Sequence, residues 1–181
     1  MILKRGRQSQ GEIAEKSAAV VKRLLGLPEW KAAKTVMIYA ATRSEVQTRA
    51  AIEAALGAKK RVCLPARITV EHDMEAYAVR SFDELLLGDL GFLEPPKRKS
   101  AFVAPRDIDL MVVPGVAFDE SGNRLGRGFH YYDGFLKKTT AAIVALSFEM
   151  QIIPKVPIES HDMVVGKIVT EKRLIECKKA V

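Results

Sequence analysis

At 181 residues the chain has material for one domain spanning 1–181; divided in two, each half would bury little core. Hydrophobic residues at 48% and charged residues at 28%, with two cysteines, exclude a disordered chain, a collagen-like repeat and a disulfide-built miniature. The formal net charge of +7 fits an acidic or phosphorylated partner.

Residues 11–25 read as a helix, because Ile13, Ser17, Val20, Val21 and Leu24 recur at helical spacing and Gly26 with Pro28 ends the run. Thr35–Ala41 is apolar throughout and suits a strand covered on both faces. Residues 46–56 return to helix and stop at Gly57, and Arg61–Leu64 is a second buried strand that Pro65 ends. Glu75–Val79 alternates like an edge strand, and a short helix is expected around Phe82–Leu87. Gly91–Pro105 reads as a loop, Ile108–Val113 as a strand, Pro114–Gly128 as a long loop, Tyr131–Lys138 as a helix and Ala142–Leu146 as a buried strand. Continuously apolar strands alternating with helices predict an α/β sandwich built on a parallel sheet.

The positive surplus sits at the two ends. Residues 1–34 carry eight Lys/Arg against three Glu and residues 167–181 carry five against two, whereas 35–166 is near balance. A nucleic-acid surface would interleave such cations with aromatics. These ends almost lack Phe and Tyr, so solvated ends are expected, with nucleic-acid binding the minor alternative. No apolar run approaches the roughly 20 residues of a membrane span, and the opening segment lacks a signal-peptide core, so a cytoplasmic protein is expected. Cys63 and Cys177 belong to no CxxC pair and read as buried or idle thiols; His72 reads as an exposed loop residue.

Chemistry concentrates after the fourth expected strand. Pro114 leads into a loop with Gly115, Gly122, Gly126 and Gly128 together with Arg124 and Arg127, and the loop opens into a helix. Glycines admit a backbone close to an anion, arginines supply forked charge-assisted bonds, and a helix start offers unpaired N–H groups. These are the parts of a phosphate cradle where open α/β sheets place ligands. The segment matches neither GxxxxGK[ST] nor GxGxxG. A glycine-rich turn with solvated arginines is the competing reading.

Asp133, just inside that helix, would repel a phosphate unless a cation lay between them. Mg²⁺ fills such a place, using one or two carboxylates, phosphate oxygens and water. A helix-start aspartate needs no such explanation, and both readings stay open. By spacing alone Glu45 and His161-Asp162 read as surface residues.

Taken in order, Leu27–Thr35, the strand–Glu45–Thr48 segment, Gly91–Pro95, Pro114–Asp119, Gly122–Gly128, Tyr131–Asp133, Gln151, Val156–Asp162 and Ile168–Glu171 resemble the 5-formyltetrahydrofolate cyclo-ligase family, from about residue 17 to residue 171. The resemblance implies a three-layer α/β/α sandwich with a mainly parallel sheet, like ribose-5-phosphate isomerase and the CoA-transferases. It implies closure of 5-formyltetrahydrofolate to 5,10-methenyltetrahydrofolate with ATP and Mg²⁺, releasing ADP and phosphate. Arg124, Leu125, Gly126, Arg127, Gly128, Phe129, His130, Tyr131 and Tyr132 would hold ATP, with Arg127 nearest the transferred phosphate. Asp133 and Asp162 would hold Mg²⁺, and Glu45, Tyr131 and Tyr132 would contact the folate. The expected assembly is a monomer or homodimer.

Two features depart from the family pattern. Phe129 and His130 stand where relatives carry Gly or Lys and then Gly, and the family's opening Lys…Leu-Arg would precede Met1, leaving Lys4, Arg5 and Arg7 as candidates for its part. A non-catalytic folate- or nucleotide-binding relative is therefore the alternative expectation.

Overall fold

The computed structural model describes residues 1–68, 73–88, 91–126, 131–159 and 162–177. The chain opens with α1 (Ile2–Gly6), α2 (Gln10–Gly26), α3 (Pro28–Ala32), β1 (Thr35–Ile38) and α4 (Arg49–Gly57). Next come β2 (Arg61–Ile68), β3 (Asp73–Val79), β4 (Leu86–Leu87), β5 (Leu93–Glu94), β6 (Phe102–Val103) and β7 (Leu110–Val113). The remainder holds β8 (Ala117–Phe118), β9 (Arg124–Leu125), α5 (Tyr131–Leu136), β10 (Ala142–Leu146), β11 (Lys167–Val169) and β12 (Leu174–Glu176).

Eight strands form one sheet in the order β12-β11-β10-β7-β1-β2-β3-β6. The run from β11 to β2 is parallel, and β12, β3 and β6 flank it antiparallel. Strand periodicity then sends neighbouring side chains to opposite faces. Val36, Ile38, Val112 and Leu146 join Val20, Leu24 and Ile52 of the α2–α4 layer. Met37, Met111, Val113 and Ala145 join Phe118, Phe135 and Leu136, where α5 and the β8–β9 hairpin cover the second face. Both faces are buried, so the molecule is the expected α/β/α sandwich on a mainly parallel sheet.

The helix expected at 11–25 is α2, with all five anticipated core positions buried. Ser9 caps it: its Oγ accepts from Glu12 N at 3.2 Å, and Glu12 Oε2 accepts from Ser9 N at 2.8 Å. Such a box contributes about 1 kcal/mol. Pro28 does more than end α2, since it occupies the first turn of α3, where its missing N–H costs nothing.

Several boundaries differ from expectation. β1 ends at Ile38, and α4 begins at Arg49 because Val46 and Thr48 are engaged in the preceding loop. Pro65 does not end β2: its pairing with β1 stops at Cys63, so Pro65 sits where the strand is bonded on one flank only. β3 is not an edge, because β6 pairs with its other side. A 3₁₀ turn at Phe82–Glu84 and then β4 replace the expected helix, and the segments read as loops contain β5, β6 and the β8–β9 hairpin. β7 starts at Leu110 and α5 stops at Leu136, whereas α1, β11 and β12 were not anticipated.

The basic ends are also more than solvated tails. Arg5 is buried, and Arg23 on α2 donates to the carbonyls of Thr170, Glu171 and Lys172 at 3.1, 2.6 and 3.0 Å. Lys167 pairs with Glu29 at 2.8 Å, and Arg173 pairs with Glu120 and Glu149 at 2.9 Å each. Cys63 is buried, as expected, and Cys177 is half-buried; neither is in a disulfide. No helix among the described residues is long and apolar enough to cross a membrane. His72 and His161 lie outside the described residues.

Candidate active site

A cavity of about 540 Å³ opens where β1, β2 and β7 end, the position at which open α/β sheets hold ligands. Glu45, Arg124, Leu125, Gly126, Tyr132, Asp133 and Asp162 all line it. Residues from three separate stretches of sequence thus meet around one cavity.

Glu45 is the first correction to the sequence reading, being only 8% exposed rather than on the surface. The loop after β1 is held from several sides. Tyr39 Oη donates to Val46 O at 3.0 Å, Thr48 Oγ1 donates to Tyr39 O at 2.6 Å, and Gln47 N donates to Ser17 Oγ at 2.9 Å. Within it Glu45 Oε2 accepts from Thr42 N at 2.9 Å. A buried carboxylate needs a cation, and Arg5 supplies it: its Nη2 lies 3.7 Å from Glu45 Oε1 while its Nη1 donates to Gly115 O at 3.1 Å. Arg5 therefore turns inward behind Glu45. Burial, and next the Glu45 charge, push the Tyr39 phenol well above its ordinary pKa.

The glycine loop divides its work. Gly115 makes room for the Phe118 ring, which any Cβ there would strike. Gly122 turns the β8–β9 hairpin at φ +90° and donates to Asp119 O at 3.0 Å. Gly126 lies against Arg124, whose Nη1 would stand 3.3 Å from an added Cβ. Gly115 and Gly126 face the cavity, whereas Gly122 serves the hairpin. Gln151, buried, fastens the loop by donating to Gly115 O at 2.9 Å and Val116 O at 3.0 Å.

Arg124 Nη2 donates to Asp133 Oδ1 at 2.8 Å, with both side chains largely buried. The same guanidinium sits 5.5 Å from the Tyr132 ring centre, and its buried Nε meets no hydrogen-bond acceptor among the described residues. Burial, then the Glu45 charge, raise the Tyr132 phenol pKa; Arg124 and Arg67 oppose them, and the net effect keeps the phenol protonated. Asp162, also placed at the surface by spacing, is half-buried and accepts from Glu159 N at 2.8 Å. Met163 N approaches Asp133 Oδ1 at 3.5 Å, which brings the two aspartate segments together.

Arg127, Gly128, Phe129 and His130 lie outside the described residues, and Tyr131 is described only as the start of α5. Sequence reading missed Arg67, Phe92 and Glu94, which also line the cavity. Reading Pro65 as a stop hid Arg67, two residues further along β2.

The cavity is lined by a buried carboxylate, a guanidinium and two further aspartates, and the family's sequence profile matches residues 1–171. The chain belongs to the 5-formyltetrahydrofolate cyclo-ligase family. That match takes in α1 and Arg5, upstream of where the resemblance becomes legible by eye. A probable 5-formyltetrahydrofolate cyclo-ligase of Schizosaccharomyces pombe is 31% identical, over 94% of this chain and 91% of the relative. The 5-formyltetrahydrofolate cyclo-ligase of Escherichia coli K12 is 30% identical over 93% of each. The solution structure of Aquifex aeolicus 5,10-methenyltetrahydrofolate synthetase is 34% identical and superposes with a TM-score of 0.84, covering 98% of this chain and 89% of that one. Membership of the cyclo-ligase family carries the enzyme class with it, a ring-forming ligase.

Among the described residues no three His, Cys, Asp or Glu side chains gather to hold a metal unaided. The pair Asp133 and Asp162 is nevertheless the donor set Mg²⁺ accepts when phosphate oxygens and water complete its shell. The residues present fit that ion.

Proposed function

We propose that this cyclo-ligase closes 5-formyltetrahydrofolate to 5,10-methenyltetrahydrofolate in an ATP- and Mg²⁺-dependent reaction that releases ADP and phosphate. The single observation carrying this reading is that one cavity presents Glu45 together with Arg124, Asp133 and Asp162.

Phosphoryl transfer asks mostly for positioning and charge stabilisation. Glu45, set beside Arg5, accepts hydrogen bonds from the pterin amide and amino group. Tyr132, kept protonated, donates at the junction between folate and phosphate. Arg124, which lines the cavity, pairs with the phosphate oxygens together with Arg127. Asp133 and Asp162 hold Mg²⁺, which neutralises part of the triphosphate charge when bound. The formyl oxygen attacks the γ-phosphorus and ADP leaves. N10 then attacks the formyl carbon, phosphate leaves with the former formyl oxygen, and the N10 proton passes to solvent. The six-residue α5 is too short to bring much dipole, so side chains carry the anion.

The test is to incubate purified protein with 5-formyltetrahydrofolate, ATP and Mg²⁺ and follow methenyl absorbance. Turnover that needs all three components is expected. No signal across pH and enzyme concentration would overturn the reading.

A further inference from the structure

Arg67 and Arg124 are the two cationic side chains lining the cavity among the described residues. In the sheet, β7 feeds the glycine loop, β1 feeds the Glu45 loop, and β2, which carries Arg67, is next in line. Neighbouring strands lie about 4.8 Å apart, so Arg67 is displaced from β7 by roughly 10 Å. A benzoyl group with one amide bond spans a comparable length.

The guanidinium is fixed on two sides. Arg67 Nε donates to Glu94 Oε1 at 2.8 Å, with the two side chains 16% and 15% exposed. Its carbon lies 4.2 Å from the centre of the Phe92 ring. Neither terminal nitrogen makes a hydrogen bond to any described residue, so both N–H pairs are left for the cavity. Pro65, Met74, Phe92 and Leu93 make the surrounding wall apolar. An oriented guanidinium beside an apolar wall suits a carboxylate joined through an amide to an aromatic ring, which its terminal nitrogens bind through two parallel N–H bonds.

We propose that Arg67 binds a carboxylate of the first glutamate in the substrate's p-aminobenzoyl-glutamate tail, with the Phe92 ring against the aminobenzoyl group. The proposal rests on the folate reading above and deepens it. Arg67 selects folates that carry a glutamate. A triphosphate oxygen is the other anion it could take, but ring and thioether neighbours, two strands from the glycine loop, suit the tail.

The experiment compares KM for 5-formyltetrahydrofolate and for 5-formyltetrahydropteroate, which lacks the glutamate, in wild type, Arg67→Ala and Arg67→Gln. Arg67→Ala should raise KM for the glutamate-bearing substrate about tenfold or more. KM for the pteroate and for ATP should stay within about twofold, and kcat should hardly move. Arg67→Gln keeps a donor in place, serves if the alanine variant does not fold, and should give the same selective loss at smaller size. Equal loss on both folates, no loss on either, or a rise confined to ATP would overturn the proposal while the parent reaction stands. A wild type that turns over neither folate would overturn both.

Discussion

Arg5, the largest fully buried side chain among the described residues, stands 3.7 Å behind Glu45 and bonds the Gly115 carbonyl, joining the loop after β1 to the loop after β7. Replacing it removes the cation beside a buried carboxylate and one of the two donors to the Gly115 carbonyl. Arg5→Ala is expected to cost about 3–5 kcal/mol of stability, read from urea unfolding, and to raise KM for the folate. Arg5→Lys should recover part of both. An unchanged urea midpoint in Arg5→Ala would deny the contact this role.

Glu45 itself should act on one substrate alone. Glu45→Gln keeps the shape of the loop and removes the charge that the pterin N–H groups meet. A loss of about 1.5–3 kcal/mol in folate binding is expected, or roughly 10- to 100-fold in KM. KM for ATP should be unchanged. Steady-state kinetics with each substrate varied decides it.

Arg124 and Asp133 are neutralised by each other at 2.8 Å, so the carboxylate that would share Mg²⁺ already has a cation. Asp133→Asn should abolish turnover in a folded chain, and calorimetry should find its ATP affinity nearly indifferent to EDTA. Wild-type affinity should fall when the metal is chelated. Arg127→Ala should likewise abolish turnover without unfolding. Wild-type rates in either variant would refute the site.

The two thiols offer a test in alkali. Burial pushes Cys63 up to about 12; burial and then Asp119 and Glu120 push Cys177 up to about 11. Unfolded thiols ionise near 8.5, so between that pH and 12 the folded chain binds more protons than the unfolded one. Stability is full below that window and falls as pH rises through it. The urea midpoint should drop from pH 8.5 to 11, and a thiol reagent should label the native chain far more slowly than the urea-unfolded one at pH 8. Rapid native labelling of both cysteines would contradict it.

Legibility in the sequence followed the range of the forces. The α2 face from Ile13 to Leu24 and the strands β7 and β10 were readable because α2 repeats at helical spacing and the two strands are unbroken apolar runs. β8 and β9 were not, since two-residue strands carry no period. Glu45 and Asp162 are legible as site residues only through the family resemblance: nothing within their own segments signals burial, which comes from Arg5 forty residues upstream and from the Asp133 segment. Arg67 was lost because Pro65 looks like a terminator until β1 is known to stop pairing at Cys63.

The grip of Arg23 on the turn between β11 and β12 makes the chain's beginning and end mechanically one piece. Ser17, two turns earlier on the same helix, anchors Gln47 and with it the Glu45 loop. Truncating the last hairpin would therefore unlatch α2 and loosen the pterin carboxylate from a distance, so tags and fusions placed at the C-terminus must spare Thr170–Lys172.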